Sequence, residues 1–183
     1  PDIVTAIGQP SPALKEGVTS NIPVTLTNQG NAAGTGPLTF TTTLPNSLTS
    51  PATFTDGSWT CTTFGQTVNC SNPNTAGLAP TGITTFNIPV TPIIGSAGQT
   101  PSVVGTLTPL TNETVVGNNT AMMTPTAPIA AMARPDLVTT LGQPTPALQE
   151  GVTSNIPVTI TNQGNATATG PLTFTTTLPN GLT

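Results

Sequence analysis

Charge is nearly missing from this chain. Of its 183 residues, two are Lys or Arg and six are Asp or Glu, where an ordinary soluble domain is about a quarter charged. The eight are Lys15, Arg134, Asp2, Glu16, Asp56, Glu113, Asp136 and Glu150. Two cations cannot neutralise a phosphate backbone, so nucleic-acid binding is excluded. Histidine and tyrosine are both absent. Without His, Ser/His and Cys/His nucleophile pairs cannot form. Two cysteines and no His are too few ligands for a zinc site. Two carboxylates could in principle cleave a glycosidic bond. Nothing in the sequence brings Asp56 and Glu113, the two acids outside the repeated segment, together, so an enzyme is not expected. No stretch approaches the roughly 20 apolar residues of a membrane helix. "APIAAMA" (127–133) is too short, and no signal peptide stands at Pro1, as expected for a mature or internal segment.

Threonine dominates what is present, with Asn, Ser, Gly and Pro in support, so solubility falls to hydroxyls and amides. Pro and Gly together make 39 residues, near the low-complexity range. The apolar residues nevertheless alternate in short runs, which argues for a fold and against disorder.

The chain repeats itself. "EGVTSNIPVTLTNQGN" from Glu16 returns as "EGVTSNIPVTITNQGN" from Glu150, 134 positions later. Pro1–Thr49 aligns without gaps to Pro135–Thr183, differing at nine of 49 positions and identical at 40. Such a period exceeds any solenoid repeat and has the length of a domain. The expected organisation is one complete unit over 1–127, a short linker over 128–134 within "TPTAPIAAMAR", and the first third of a second unit over 135–183. A third of a domain cannot bury a core. Either the chain is a window on a longer tandem array, which is preferred, or another chain completes the partial unit.

Period-2 patterning predicts strands. Leu38, Phe40, Thr42 and Leu44 share one face, Ile22, Val24 and Leu26 another, and Phe86, Ile88 and Val90 a third. "PDIVTAIG", "PSVVGTLT" and "NNTAMMT" are further candidates, with turn residues every 8–15 positions. No helical stripe with caps is present. The predicted fold class is all-β, an antiparallel β-sandwich. Pro23 and Pro89 conflict with this, because they interrupt strand patterns that otherwise read as central.

In "GSWTCTTFGQTVNCSN", a two-residue loop at Gly65-Gln66 suits a type II′ turn. Counting outward sets Phe64 opposite Thr67 and Cys61 opposite Cys70, in a pair whose side chains approach closely. A Cys61–Cys70 disulfide fits, and places the protein outside the cytosol. A reduced, buried pair is the alternative. Trp59, Cys61, Thr63, Val68 and Cys70 then share the inner face.

Four sequons occur, at Asn69, Asn112, Asn118 and Asn165. Asn69 adjoins Cys70 and is the poorest acceptor, which leaves Asn112, Asn118 and Asn165 as candidate glycosylation sites. No cofactor is expected. The one cation left open is calcium at the domain junction, near the linker, drawing on Asp2, Glu16, Asp136 and Glu150, which recur at the unit starts, with solvated turn acids as the alternative.

Pro1-Asp2, Asn28-Gln29-Gly30, Leu44-Pro45-Asn46-Ser47-Leu48, Trp59-Thr60-Cys61 with Cys70, and Asn118-Asn119-Thr120-Ala121 occur in that order. This ordered set resembles the tandem Ig-like "conserved repeat" domains of bacterial cell-surface proteins, and the related CARDB-like cell-adhesion domains. The resemblance implies an Ig-like sandwich and an extracellular, cell-surface role as a spacer or adhesive element, with no catalytic residues. Some surface domains of this general shape carry Lys–Asn isopeptide bonds. Here Lys15 becomes Gln149, so such a link is not common to both copies. The expected function is a structural repeat of a surface fibre, stalk or sheath whose partners are copies of itself. The alternative is an adhesin module that binds glycan or protein at a loop tip.

Overall fold

A computed structural model describes residues 1–74 and 77–182. Thr75, Ala76 and Thr183, which fall inside the expected units, lie outside the described residues. The chain divides into two compact units, Pro1–Met132 and Ala133–Thr183.

The first unit is all-β. Its strands are β1 (Ile3–Ile7), β2 (Ser20–Asn28), β3 (Leu38–Thr43), β4 (Leu48–Thr49), β5 (Thr53–Asp56), β6 (Trp59–Phe64), β7 (Thr67–Asn72), β8 (Ile83–Pro92), β9 (Val103–Leu107) and β10 (Thr120–Met123). A 3-10 turn, Gly117–Asn119, precedes β10. Two antiparallel sheets form, ordered β1-β2-β8-β4 and β10-β9-β3-β7-β6-β5. Alternation determines which side chains are buried: Leu38, Phe40, Thr42 and Leu44 point inward, as do Ile22, Val24, Leu26, Phe86, Ile88 and Val90. Trp59 of β6 stacks on Phe86 of β8 at 4.2 Å, and Phe40 of β3 meets Phe86 edge-on at 5.4 Å. These three rings join the sheets, in the offset and T-shaped arrangements aromatic pairs favour.

The two prolines are accommodated by register. Asn21 pairs with Pro89 and Pro23 with Asn87. The N–H of Asn87 points away from β2, to Asp56, and the carbonyl of Pro23 points away from β8, to the N–H of Gly8. Both prolines therefore stand at positions of the β2–β8 ladder that exchange no hydrogen bonds. Pro89 turns its missing N–H toward the open flank of β8, because β4 pairs only at Pro92 and Thr91. Pro23 turns its own toward the place where β1 bulges out, between Gly8 and the bridge from Ser11 to Asn21. Gly8 lies close beneath the Pro23 ring, where an added Cβ would come within 2.8 Å of Cγ.

The segment 128–134, expected as a linker, is bound into the first unit as far as Met132. Ile129 is 2% exposed and exchanges backbone hydrogen bonds with Gln99 and Gly98. Ala130 bridges in parallel to Lys15, and the Met132 N–H reaches the Glu16 carboxylate. One isoleucine among small residues is enough to anchor the segment in the core. The unit's two ends consequently lie at opposite poles. Asp2 pairs beyond the end of β2, with Gln29, and Met132 beside Glu16, ahead of the start of β2. The nine residues of β2 separate them by about 30 Å at ~3.3 Å per residue.

In the second unit, β11 (Leu137–Leu141) and β12 (Val158–Asn162) pair from Leu137 opposite Asn162 to Leu141 opposite Val158. This is the β1–β2 register shifted by the repeat period, since Ile3 pairs with Asn28 and Ile7 with Val24. The stretch 172–177, the counterpart of β3, forms no strand among the described residues. In the first unit β3 is held between β7 and β9, and residues 135–182 contain no counterpart of either.

An Ile129→Ala variant should lose about 2–4 kcal/mol of unfolding free energy, the usual cost of truncating a core aliphatic. Urea titration followed by Trp59 fluorescence measures it. A loss below about 0.5 kcal/mol, the range of exposed positions, would return 128–132 to the status of a connector.

Candidate functional site

The four acids of the first unit each accept backbone or amide donors. The Glu16 carboxylate is 6% exposed and accepts N–H groups from Gly95 and Ala97 at one oxygen and from Met132 at the other. Glu113 accepts from Ile3 N–H through Oε1, and from Leu110 N–H and the Asn119 amide through Oε2. Asp56 takes the N–H and the side-chain amide of Asn87, tying the β5–β6 turn to β8. Asp2 accepts from Asn118. Asp2 and Glu16, two of the four acids considered for calcium, stand at opposite poles of the first unit. Among the described residues no group of three or more potential metal ligands is found.

The β6–β7 hairpin carries the disulfide. Cys61 pairs directly with Cys70, their Cα atoms 4.0 Å apart, and the two sulfurs are bonded. Gly65 turns the chain at φ 59°, the left-handed value that a II′ turn requires at its first loop position. Gln66 then donates its side-chain amide to the carbonyls of Leu44, Pro45 and Leu48, docking the tip against the β3–β4 connection. The hairpin is held at its tip by an amide and near its middle by a covalent bond.

That hairpin contributes to an uncharged outer face on the six-stranded sheet. Cross-strand partners line up in rows. One row runs Thr120, Thr106, Thr41, Asn69, Thr62, Thr53 across all six strands. The next, toward the Met132 pole, runs Met122, Val104, Thr43, Thr67, Phe64. A third, on the other side, contains Thr39, Ser71, Thr60 and Thr55. Hydroxyls bond along the central row, Thr41 to Asn69 at 3.0 Å and Thr106 with Thr120 at 2.9 Å. Phe64 is 90% exposed and Met122 69%. Sequence patterning isolates Thr39, Thr41 and Thr43, but the wider lattice depends on strand order, which the sequence does not state. Phe64 was legible: its pairing with Thr67 already puts it on the face opposite to Cys61 and Cys70.

The sequons separate by accessibility. Asn112 is exposed at φ 65° in a turn. The Asn118 amide is half-buried and donates to Asp2. Asn165 is exposed, and its side-chain oxygen accepts from Arg134 N–H. Asn69 is on the sheet face, bonded to Thr41.

Under denaturing conditions without reductant, alkylation should add no mass, and after reduction two adducts. Reduction should lower stability by roughly 2–3 kcal/mol, the chain-entropy value for a loop of about ten residues. Two adducts without reductant would show a free thiol pair.

No family model matches the chain, and no curated protein does. Among solved structures it is similar to the major pilin subunit BcpA of Bacillus cereus, at 8% identity, covering 90% of this chain and 56% of that one, with a TM-score of 0.51. A single-substitution variant of that pilin gives the same identity and coverage, with a TM-score of 0.52. An uncharacterised protein of Nocardia farcinica with an immunoglobulin-like fold is 16% identical over 69% of this chain and 99% of that one, at a TM-score of 0.42. The chain spans a little over half the length of the pilin subunits it matches. At this identity the likeness establishes the fold alone: an Ig-like antiparallel β-sandwich of the kind found in pilin subunits.

Proposed function

We propose that the chain is a structural segment of an extracellular bacterial surface fibre, stalk or sheath, built from near-identical β-sandwich units and without catalytic activity. The observation that carries this reading is the placement of the first unit's ends at opposite poles in a chain that begins the same unit again. A domain entered at one pole and left at the other propagates along one axis. The repeat supports it further, since a spacer tolerates duplication of its sequence. The pilin likeness agrees in fold, and the disulfide suits an oxidising compartment. Each unit would advance the fibre by at least the roughly 30 Å that the nine residues of β2 place between its ends.

A second reading is favoured by one feature. Phe64, 90% exposed on a clamped hairpin tip, has the form of an anchor in an adhesin module that recognises glycan or protein.

Few ions are available to contribute to assembly. Electron micrographs of the native material should show filaments with an axial repeat of roughly 30 Å or somewhat more per unit. They should persist from roughly 0.05 to 1 M salt, where the screening length falls several-fold. They should also persist between about pH 5 and pH 9, because the chain has no His and few ionisable groups to place in the contacts. Isolated particles at every condition, or filaments that dissolve in moderate salt, would overturn the fibre and favour the adhesin.

A further inference from the structure

The outer face of the six-stranded sheet has an internal symmetry. Five of its strands run β10-β9-β3-β7-β6, so β3 is the middle one. Across them the exposed row reads Met122, Val104, Thr43, Thr67, Phe64. A two-fold axis along β3, in the plane of contact with a second copy, exchanges the two sides of the row. Met122 then lies over the partner's Phe64, Val104 over the partner's Thr67, and Thr43 over the partner's Thr43. The row behind it behaves alike, with Thr41 over the partner's Thr41 and Thr106 over the partner's Asn69.

We propose that this face pairs with the same face of a second copy, joining two parallel arrays side by side. Three properties of the face favour a copy of itself over other occupants. The three rows contain no charged residue, so bringing two identical faces together opposes no like charges. The large apolar side chains stand at opposite ends of one row, so the two-fold places a thioether against an aromatic ring at both ends, a contact sulfur favours. The area is also appropriate to a repeating partner. The five strands that the two-fold superposes, about 4.8 Å apart, and the two rows complete across them, about 6.7 Å apart, cover on the order of 300 Å² per copy, so about 600 Å² in total, below the size of a stable stand-alone interface. One pair of units is therefore weak, and successive units along two arrays add by avidity. This deepens the fibre reading and rests on it for that avidity. The pairing itself is testable on the soluble chain, so failure to form filaments and failure to pair are seen separately.

The test is thiol cross-linking on the full chain with Cys61–Cys70 intact. Chains bearing Phe64→Cys are mixed with chains bearing Met122→Cys and treated with a short bis-maleimide that spans ~10 Å, the spacing of facing sheets. The mixed cross-link should exceed either self cross-link by on the order of ten-fold, because like positions stay about four strand spacings, ~19 Å, apart. Thr43 meets its own copy on the axis, so Thr43→Lys in both chains should reduce trapping by about ten-fold or more through like-charge opposition, as should Thr43→Glu in both. Thr43→Lys in one chain with Thr43→Glu in the other should restore it. Thr43 is exposed, and circular dichroism verifies that each variant folds. Equal self and mixed cross-linking, or trapping indifferent to Thr43→Lys, would overturn the two-fold. A neutral soluble glucan that retards the chain in an affinity gel, with the retardation lost in Phe64→Ala and no trapping seen, would reassign the face to carbohydrate.

Discussion

Everything else in the first unit depends on the contact between Trp59 and Phe86. One ring comes from each sheet, and their 4.2 Å stacking sets the sheet separation at the centre. Phe40 closes the third side at 5.4 Å. In a chain with one Trp and five Phe, these three are the fully buried rings of the core. The disulfide follows from the same placement, for Cys61 lies two residues beyond Trp59 on the same inward face. The indole N–H is satisfied by the Thr84 hydroxyl at 3.2 Å, so the largest side chain enters the core without an unpaired donor. Around this centre the core is otherwise aliphatic, and Ile129 returns from the end of the unit to complete it.

Loops that leave such a core must satisfy their backbone groups, and here the acids perform that task. A carboxylate offers about four acceptor sites, and a charge-assisted hydrogen bond is stronger than a neutral one. Glu16 collects three N–H groups from two segments distant in sequence, Glu113 collects two and an amide, and Asp56 bonds one residue of the opposite sheet twice. Removal of any of them would strand donors that have no other acceptor placed for them. Asp2 and Glu16, which recur as Asp136 and Glu150, mark the two poles of the unit, where chain enters and leaves.

Much of this was legible in the sequence, and what was not has a physical cause. Alternation in "GPLTFTTTLP" and around Ile22 identified the inward side chains, because the side-chain period of a strand is two whatever its neighbours are. The Cys61–Cys70 pairing could be counted from Gly65-Gln66 because a hairpin's register is local. The prolines could not be placed, since whether position 23 or 89 donates to a ladder depends on strands far away in sequence. The end of the unit was misplaced for a similar reason. "APIAAMA" has no periodicity, and only the tertiary contacts of Ile129 with Gln99 and Gly98 identify it as core. The Thr lattice is the clearest case. Each strand shows an outward Thr or two, but the rows exist only once β9, β3 and β7 are known to be neighbours.

The scarcity of charge is thus compounded by its placement. Of the five acidic and basic side chains within 1–127, four are committed to backbone and amide groups and only Lys15 has no such bond among those described. The outer sheet face consequently meets water largely through hydroxyls, and along one row Thr106 is already bonded to Thr120 and Thr41 to the Asn69 amide. Polar groups that satisfy one another lose less on dehydration than polar groups that depend on water, because the cost of burial is the cost of unmade hydrogen bonds. A surface of this kind is wettable enough to keep a unit in solution and inexpensive to cover. Its register, set by strand pairing and fixed on one side by a disulfide, supplies the geometric specificity that charge supplies in most other proteins.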